Sequence, residues 1–263
     1  SSPNSWMFLV SAGPFGSLSN IDTTSWFLPP GDSCQIAFSV VCALWTPGSG
    51  EDSPVRRSNL HVNNDWAQKA YNGEDINRNN ILDEGEDTNN NQILDRYILP
   101  SPPPSPSMFV DVGSKKATLY WQKNAESFID PISREKDFEG YRIYGATKTA
   151  NDSLGEFSLL LEIDIKNTIG YNTGFSMVQI LNEENQPDSI FINDQYYHYK
   201  FENIGIKDGW QNYYSITAYD KGDPSSNLES LESSIYSNRV YIYPGSKEIS
   251  ESIWEGTPSV YPN

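Results

Sequence analysis

The sequence predicts a mainly β protein with a single helix. Aromatic residues make up 13% of the 263 residues, with 16 Tyr among them, and aromatic side chains favour strands. From residue 107 onward, short alternating segments are separated by turn residues, a pattern typical of a β-sandwich. The segment 99–106 is rich in proline and precedes these strands, so we expect it to be a semi-rigid linker.

The first predicted unit, residues 1–72, is a β-rich segment with a helix near 59–72. Two apolar runs, SWMFLVSAGPF and DSCQIAFSVVCALW, predict buried strands, and LPPGDS between them predicts a turn. The helix is expected to begin at Ser58 or Asn59 and to end at Gly73. Its apolar stripe consists of Val62, Trp66, Ala67, Ala70 and Tyr71. Because two or three strands and one helix make an incomplete core, we expect the rest of this domain upstream or on a partner chain.

The charge and the cysteines restrict the classes of partner. The chain has 18 basic and 35 acidic residues and a net charge of −17, which repels phosphate backbones and anionic membranes. We therefore expect no nucleic-acid partner. No apolar run is long enough for a membrane span. On a strand, Cys34 and Cys42 would lie roughly 26 Å apart, too far for a disulfide, so we expect two small buried side chains.

The stretch GEDINRNNILDEGEDTNNNQILD, within residues 73–98, has the spacing of calcium-binding loops. Calcium takes six to eight oxygen ligands, and the first, third, fifth, seventh, ninth and twelfth residues of a loop supply them. The predicted ligands of the first loop are Asp75, Asn77, Asn79, the carbonyl of Ile81, Asp83 and Glu86. Its sixth residue, Asn80, is suited to a positive φ.

A second copy of the loop begins twelve residues later. Its predicted ligands are Asp87, Asn89, Asn91, the carbonyl of Ile93, and Asp95. The twelfth position is Ile98, which has no carboxylate, and the sixth is Gln92, which is poorly suited to a positive φ. We expect the second site to be weaker than the first, or to take an oxygen from elsewhere.

The two adjacent loops resemble the tandem loops of dockerin and thrombospondin type 3 repeats. The resemblance implies calcium as the bound ion, with an affinity on the order of 10⁻⁴ to 10⁻³ M because many ligands are neutral amides. The aliphatic pairs Ile81–Leu82 and Ile93–Leu94 are expected to pin each loop to a neighbouring surface. The alternative is a solvated, disordered linker, but two copies in register favour calcium loops.

Residues 107–244 contain seven predicted strands, several of which alternate cleanly, as do Ala117, Leu119 and Trp121. Trp121, GYRIY at 140–144 and GIKDGWQNYYSITAYD at 205–220 resemble the motifs of a fibronectin type III domain. That resemblance implies a β-sandwich. The sequence departs from the family at Asn212, where a tyrosine is usual, and in the long stretch 167–195.

The last part, residues 245–263, is a less regular tail that ends in SVYPN. This phrase resembles the opening of the C-terminal sorting domains of bacterial type IX secreted proteins. Together with the calcium loops and the fibronectin-like domain, the resemblance implies a secreted protein at a bacterial cell surface, with a sorting domain further downstream.

The sequence offers little for catalysis. His61 and His198 are the only histidines, and neither has zinc-ligand spacing. No hydrolase elbow, P-loop or dinucleotide motif is present, and an acidic pair such as Asp137 and Glu139 is expected by chance in so acidic a chain. An aromatic series indicates core and cross-strand packing, with a sugar- or protein-binding face as the alternative: Tyr196, Tyr197, Tyr199, Trp210, Tyr213 and Tyr214.

These observations lead us to expect a non-catalytic, calcium-stabilised structural or adhesion module, secreted or at a cell surface. It would act as a spacer, scaffold or assembly subunit, and its partners would be calcium and other protein chains or surface glycans. The alternative is a glycan- or protein-binding accessory region of a larger secreted enzyme. A third hypothesis is an enzyme fragment whose active site lies elsewhere.

Overall fold

The computed structural model describes residues 30, 31, 33, 36–43, 53–149, 153–223 and 228–245. The first predicted apolar run, Cys34 and the SVYPN phrase lie outside these residues. One α-helix, α1 (Pro54–Asn72), and one short 3₁₀ helix (Asn124–Ser127) are present in the described part. The strands are β1 (Met108–Gly113), β2 (Lys116–Trp121), β3 (Phe138–Thr147), β4 (Ser158–Asp164), β5 (Ile190–Ile192), β6 (Gln195–Tyr197), β7 (Tyr199–Ile204), β8 (Asn212–Asp220) and β9 (Val240–Ile242).

Helix α1 begins earlier than predicted. Its first residue is Pro54, and Arg57 N donates to Ser53 O at 3.1 Å, so the predicted start at Ser58 or Asn59 is wrong. Proline suits a first turn because its φ is already helical and its missing N–H would have no partner there. The predicted end is confirmed: Gly73 has φ 60° and its N–H donates to Lys69 O at 2.9 Å. The five residues of the predicted stripe are all partly buried.

Residues 36–43 belong to no helix or strand, so the buried strand predicted there is wrong for the described residues. Val40 is 95% exposed and Cys42 is also exposed, so the prediction of a buried cysteine is wrong too. The segment lies near α1, where Asn63 Nδ2 donates to Cys42 O at 2.7 Å. Among the described residues, no strand pairs with this run, and most of its residues are exposed. The predicted turn is present at Gly31, with φ 92°.

Seven of the nine strands, all between Met108 and Ile242, form a sandwich of two antiparallel sheets. One sheet has the order β1-β2-β7 and the other has the order β4-β3-β8-β9. All seven predicted strand segments contain strands, and the three-on-four arrangement is the one expected of a fibronectin type III-like sandwich. The protein is therefore mainly β, with antiparallel sheets, as the sequence predicted.

The core lies between the two sheets and is rich in aromatic rings. Trp121 from β2 packs edge-on against Tyr141 from β3, with ring centroids 5.9 Å apart, and lies 5.4 Å from the ring of Tyr199 in β7. The predicted alternation is confirmed, because Ala117, Leu119 and Trp121 are all fully buried. Asn212, at the position where the family usually has a tyrosine, is buried and donates to Trp210 O at 2.8 Å.

A hairpin interrupts the fifth of the seven predicted strand segments. The sequence YYHYKFENI divides at His198 into the end of β6 and the whole of β7, and β5 pairs with β6 in a separate two-stranded sheet. Asn193 and Asp194, with φ of 48° and 61°, form the two-residue turn between β5 and β6. Within the described ranges, no helix combines the length and apolar character that a membrane crossing would require.

Candidate metal centre

Residues 75–86, here loop 1, wrap around the carboxylate of Asp75. Its Oδ1 accepts a hydrogen bond from Asn79 N at 2.9 Å, and its Oδ2 accepts one from Asn80 N at 3.1 Å. Arg78 and Asn80 both adopt a positive φ, of 64° and 63°, which turns the backbone sharply twice. The positive φ expected at Asn80 is confirmed.

Three side chains of loop 1 converge on one point. The amide nitrogens of Asn77 and Asn79 donate to Asp83 Oδ2 at 2.6 and 2.7 Å. The third, fifth and ninth positions of the loop are thereby drawn together. Across the described ranges, no group of three or more His, Cys, Asp and Glu side chains is arranged to hold a metal ion. The convergence in loop 1 depends instead on one carboxylate and two amides.

Residues 87–98, here loop 2, repeat this geometry. Asp87 accepts hydrogen bonds from Asn91 N and Gln92 N at 3.1 and 2.9 Å. The amide nitrogens of Asn89 and Asn91 donate to Asp95 Oδ2 at 2.7 and 2.8 Å. Gln92 also adopts a positive φ, of 62°, although its side chain is not favoured there. The twelve-residue sequence repeat is therefore also a repeat of structure.

Each loop is closed by one glutamate carboxylate, which accepts hydrogen bonds from two main-chain N–H groups of that loop. In loop 1, Glu86 accepts hydrogen bonds from Ile76 N at 2.9 Å and from Asp83 N at 3.0 Å. In loop 2, Glu74 accepts from Thr88 N at 2.7 Å and from Asp95 N at 3.0 Å. Thr88 and Asp95 stand twelve residues after Ile76 and Asp83. Glu74 thus holds in loop 2 the place that Glu86 holds in loop 1.

The spacing of loop 2 does not indicate Glu74 as a ligand, because the last ligand of such a loop is expected at its twelfth position, which is Ile98. The signal was nevertheless present, since Gly-Glu-Asp occurs at residues 73–75 and again at 85–87. Each glutamate precedes one loop and closes the other. Glu74 is fully buried and Glu86 is 4% exposed, so both carboxylates are held inside the loop pair.

An arginine neutralises part of the charge of loop 1. Arg96 Nη2 lies 3.0 Å from Asp75 Oδ2 and donates to Asn80 Oδ1 at 2.9 Å. Burial acts to raise the pKa of Asp75, but hydrogen bonds from Asn80, Arg96 and Asn79 outweigh it and hold that pKa below its usual value. Asp75 is therefore ionised over the physiological pH range.

The aliphatic pairs behave only partly as expected. Leu82 and Leu94 are partly buried, but Ile81 and Ile93 are both 61% exposed. The prediction that each whole pair pins its loop to a neighbouring surface is therefore wrong for the isoleucines. In a loop that offers the seventh carbonyl inward, the side chain of the same residue points to solvent.

One arginine of the sandwich joins the two loops to it. Arg134 Nη1 donates to Gly85 O at 2.8 Å, and Nη2 donates to Glu86 O at 3.1 Å. Asp130 orders the turn that carries Arg134, because its Oδ1 accepts from Ile132 N and Ser133 N at 2.8 and 2.7 Å. Loops and sandwich therefore meet through hydrogen bonds to main-chain carbonyls.

The proline-rich segment 99–106 follows the sandwich surface. Ser101 N donates to Asp130 Oδ2 at 2.9 Å, and Ser105 Oγ donates to Ser233 Oγ at 2.9 Å. Pro103 and Pro106 are buried. The segment is thus anchored along the sandwich rather than projecting as a spacer between two separate bodies.

The histidines, the acidic pair and the aromatic series, which the sequence analysis considered as candidate site residues, lie outside loops 1 and 2. His61 is exposed on α1, and His198 is partly buried between β6 and β7. Burial and the nearby Asp220 raise the pKa of Asp137 to about 6. Glu139 is buried, its pKa is raised by burial, and its Oε2 accepts from Asn167 Nδ2 at 2.7 Å. In the aromatic series, Tyr197, Tyr199 and Tyr214 are buried, whereas Tyr196, Trp210 and Tyr213 are exposed or partly exposed.

Comparison with known proteins gives structural likeness only. No protein family profile and no curated protein matches the chain. The third fibronectin III domain of the human KIAA0343 protein aligns with 57% of this chain and 89% of its own, at 12% identity and a TM-score of 0.28. Astrotactin-2, a vertebrate-specific, perforin-like membrane protein involved in neuronal development, aligns with 60% of this chain and 24% of its own, at 12% identity and a TM-score of 0.30. The sandwich architecture follows from the strand order described above, independently of these likenesses.

Proposed function

We propose that this chain is a non-catalytic, calcium-stabilised module of an extracellular protein, acting as a spacer, scaffold or assembly subunit. The main support for the proposal is that Glu86 and Glu74 close two loops of matching geometry. Glu74 supplies loop 2 with the carboxylate that its own sequence lacks. Each loop then offers a set of oxygen ligands of the kind that calcium takes.

The chemistry of the ligands favours calcium over other ions. Each set combines carboxylates, amide oxygens and one main-chain carbonyl, all of them hard oxygen donors. The loop 1 set is Asp75, Asn77, Asn79, the Ile81 carbonyl, Asp83 and Glu86; the loop 2 set is Asp87, Asn89, Asn91, the Ile93 carbonyl, Asp95 and Glu74. Sulfur and imidazole ligands are absent from both sets, which argues against zinc. Magnesium prefers a more rigid octahedron with several waters, for which a wrapped loop is poorly suited.

Bound calcium would stiffen the joint between α1 and the sandwich. Glu74 N donates to Asp95 O at 2.9 Å, so the end of α1 is tied to the end of loop 2. Arg134 ties the centre of the loop pair to the sandwich. An ion in each loop would hold both attachments in one geometry and would offset part of the net charge of −17.

The expected affinity supports an extracellular location. Loops with many neutral amide ligands bind calcium with dissociation constants on the order of 10⁻⁴ to 10⁻³ M. Such sites fill at the calcium concentrations found outside cells and stay largely empty in the cytosol. The resemblance of SVYPN to a type IX sorting phrase and the large negative charge agree with this location.

Differential scanning calorimetry tests the proposal. With a dissociation constant on the order of 10⁻⁴ M, about 5 mM calcium stabilises the folded state by about 2 kcal/mol per site. For a chain of this size, that corresponds to a rise in melting temperature of about 5 °C or more. The same concentration of magnesium is the control and should have a much smaller effect. Identical melting in calcium and in EDTA, with no heat of calcium binding, would contradict the proposal.

The second candidate is a glycan- or protein-binding accessory region of a larger secreted enzyme. One observation favours it: a polar pocket beside the β5–β6 hairpin, lined by residues that belong to neither of the two loops. The two candidates are compatible, because this pocket and the calcium loops share no residues.

A further inference from the structure

A polar pocket of about 620 Å³ lies between the 3₁₀ helix and the β5–β6 hairpin. It is large enough for one or two sugar-sized groups. Its lining carries a cation, two carboxylates, three amides, an imidazole and a phenol ring, in addition to Ser127: Lys123, Glu126, Asp194, Gln122, Asn124, Gln195, His198 and Tyr196. A pocket with so many different polar groups is suited to a ligand with several hydroxyls.

The carboxylate of Glu126 is held from the core side. Its Oε1 accepts hydrogen bonds from the hydroxyls of Tyr141 at 3.2 Å and of Tyr199 at 2.6 Å. Both tyrosines are buried in the aromatic core, so they fix the position of the carboxylate at the pocket floor. A group fixed in this way loses little conformational entropy when a ligand binds to it.

His198 also lines the pocket, but one of its ring nitrogens is buried. Within the described residues, Nδ1 has no hydrogen-bond partner and is shielded from solvent. The backbone of His198 is fixed, because its N–H donates to Trp121 O and its carbonyl accepts from Ile180 N, both at 3.0 Å. Burial lowers the pKa of the imidazole, which keeps it neutral. Because solvent does not reach Nδ1, a ligand in the pocket does not reach it either, and His198 lines the pocket with its other atoms.

The rim of the pocket supplies an aromatic surface. Tyr196 is 59% exposed at the hairpin, and its ring packs 4.8 Å from that of Phe191. Gln195 is oriented for the pocket, because its Oε1 accepts from Gln122 Nε2 and Tyr197 OH, both at 3.2 Å. One exposed ring face beside ordered amides matches a ligand that has an apolar face and a polar edge.

These groups restrict the ligand. It must donate to the carboxylates, accept from Lys123 and the amides, and stack on Tyr196. An anion is disfavoured by the net charge of −17. We propose that this pocket binds a neutral oligosaccharide, with one sugar ring stacked on Tyr196 and its hydroxyls directed to Glu126. The proposal rests on the second candidate function and does not depend on calcium stabilisation.

The two histidines of the chain allow a direct test by NMR. His198 lines the pocket, while His61 lies exposed on α1 and serves as an internal control. Long-range ¹H–¹⁵N spectra of the imidazoles would be recorded during titration with the neutral hexasaccharides of β-1,4-glucose, xylose, mannose and N-acetylglucosamine. We expect at least one of the four to shift the His198 resonances and to leave those of His61 in place. If none of them moves His198 at a concentration of several millimolar, the proposal is overturned.

A pair of variants tests the stacking contact. Tyr196→Ala removes an exposed ring at the rim, so we expect the fold to be retained and the affinity for the active hexasaccharide to fall about tenfold. Tyr241→Ala is the matched control, because Tyr241 is 61% exposed but lies on β9, away from the pocket. Equal affinities of the wild type and Tyr196→Ala would overturn the proposal, as would an equal loss in both variants.

Two further measurements distinguish this pocket from the calcium loops and from a site for anions or peptides. Binding should be unchanged in EDTA, because the lining includes no residue of the two loops; loss of binding in EDTA contradicts the proposal even if calcium stabilises the chain. Polygalacturonate, a polyanion, should bind at least tenfold more weakly than the best neutral ligand. Tighter binding of polygalacturonate, or preference for an unglycosylated peptide, overturns the assignment of a neutral saccharide.

Discussion

Loops 1 and 2 share one pattern of hydrogen bonds but obtain their closing carboxylates differently. Loop 1 uses Glu86, its own twelfth residue, whereas loop 2 uses Glu74, which lies 21 residues before Asp95 in sequence. Both glutamates nevertheless accept from the second and ninth residues of the loop they close. In a tandem motif whose second loop lacks its last ligand, the residue that precedes the first loop can therefore supply that ligand.

The loops also differ in their positive neighbours. The first carboxylate of each loop, Asp75 or Asp87, accepts two main-chain N–H groups, but only that of Asp75 is also shown in a salt bridge, with the guanidinium of Arg96. An arginine at a cation site competes with the cation. Loop 2 can therefore bind calcium as tightly as loop 1, although its own sequence lacks the last ligand.

Substitution of the two glycines that begin the repeats should give the largest effect. An added Cβ at Gly73 would lie 2.3 Å from Asp95 O and 2.8 Å from Arg96 Cα, whereas at Gly85 it would meet nothing within 4 Å. Both residues have a positive φ, so the backbone strain is similar. We expect Gly73→Ala to lower the free energy of unfolding by about 3 kcal/mol or more and Gly85→Ala by about 1 kcal/mol.

Chemical denaturation in EDTA measures this pair without any contribution from calcium. Gly85→Ala is the control for strain alone, and the excess loss in Gly73→Ala reports the close packing of loop 2 on the end of α1. Equal losses in the two variants would mean that loop 2 does not pack there, and the closure of loop 2 by Glu74 would lose its structural basis.

Removal of each closing carboxylate should weaken a different site. Glu86→Gln and Glu74→Gln each remove a negative charge and a bidentate ligand, so we expect the calcium affinity of loop 1 or of loop 2, respectively, to fall about tenfold or more. Isothermal titration calorimetry gives the two affinities. Glu84→Gln is the matched control, because Glu84 is an exposed glutamate outside both ligand sets. Unchanged calcium binding in Glu74→Gln would show that the second loop closes in another way.

Removal of the Arg134 contact between the loops and the sandwich should have an intermediate effect. Arg134→Gln removes the donors to Gly85 O and Glu86 O, and we expect a loss of about 1–3 kcal/mol of local stability in residues 73–98. Hydrogen–deuterium exchange of this stretch measures the loss directly. Arg239→Gln, which affects a distant contact with Tyr213 and Tyr236, is the control. Equal exchange in the two variants would mean that Arg134 does not hold the loops.

Substitution of Arg96, which competes with calcium for Asp75, should give the smallest effect. Arg96→Gln frees Asp75 of its salt bridge, so we expect the calcium affinity of loop 1 to rise a few-fold, by about 0.5–1 kcal/mol, and that of loop 2 to stay constant. Calorimetry in the Glu74→Gln background isolates loop 1 for this measurement. A fall in the affinity of loop 1 would indicate that Arg96 supports the loop rather than competes with the ion.

The sandwich was largely predictable because its strands carry strong local signals. In β8, Tyr214, Ile216 and Ala218 alternate with more polar residues, and all three are buried. By contrast, residues 36–43 have the apolar composition of a buried strand but pair with no strand in the described part of the chain, since pairing depends on residues distant in sequence. The β5–β6 hairpin was missed although Asn193–Asp194 is a recognisable turn, because the segments beside it are only three residues long.

The loop ligands were predictable from spacing, but their partners were not. Asp75 and Asp87 stand at matching positions of the repeat, so the turns around them follow from local sequence. Glu74 and Arg134 act across 21 and 48 or more residues, through an approach of chain segments that no local pattern encodes. Gly73 permits this approach, and only the folded chain shows why a glycine is needed there.

The claim that each loop binds one calcium ion is tested by a crystal structure. The crystals would be grown with millimolar calcium, and the data would be recorded at a wavelength that gives anomalous scattering from calcium. We expect two anomalous peaks, one in each loop, with Glu86 bound to the first ion and Glu74 bound to the second. A single peak in loop 1, or a second ion without Glu74 among its ligands, would contradict the account.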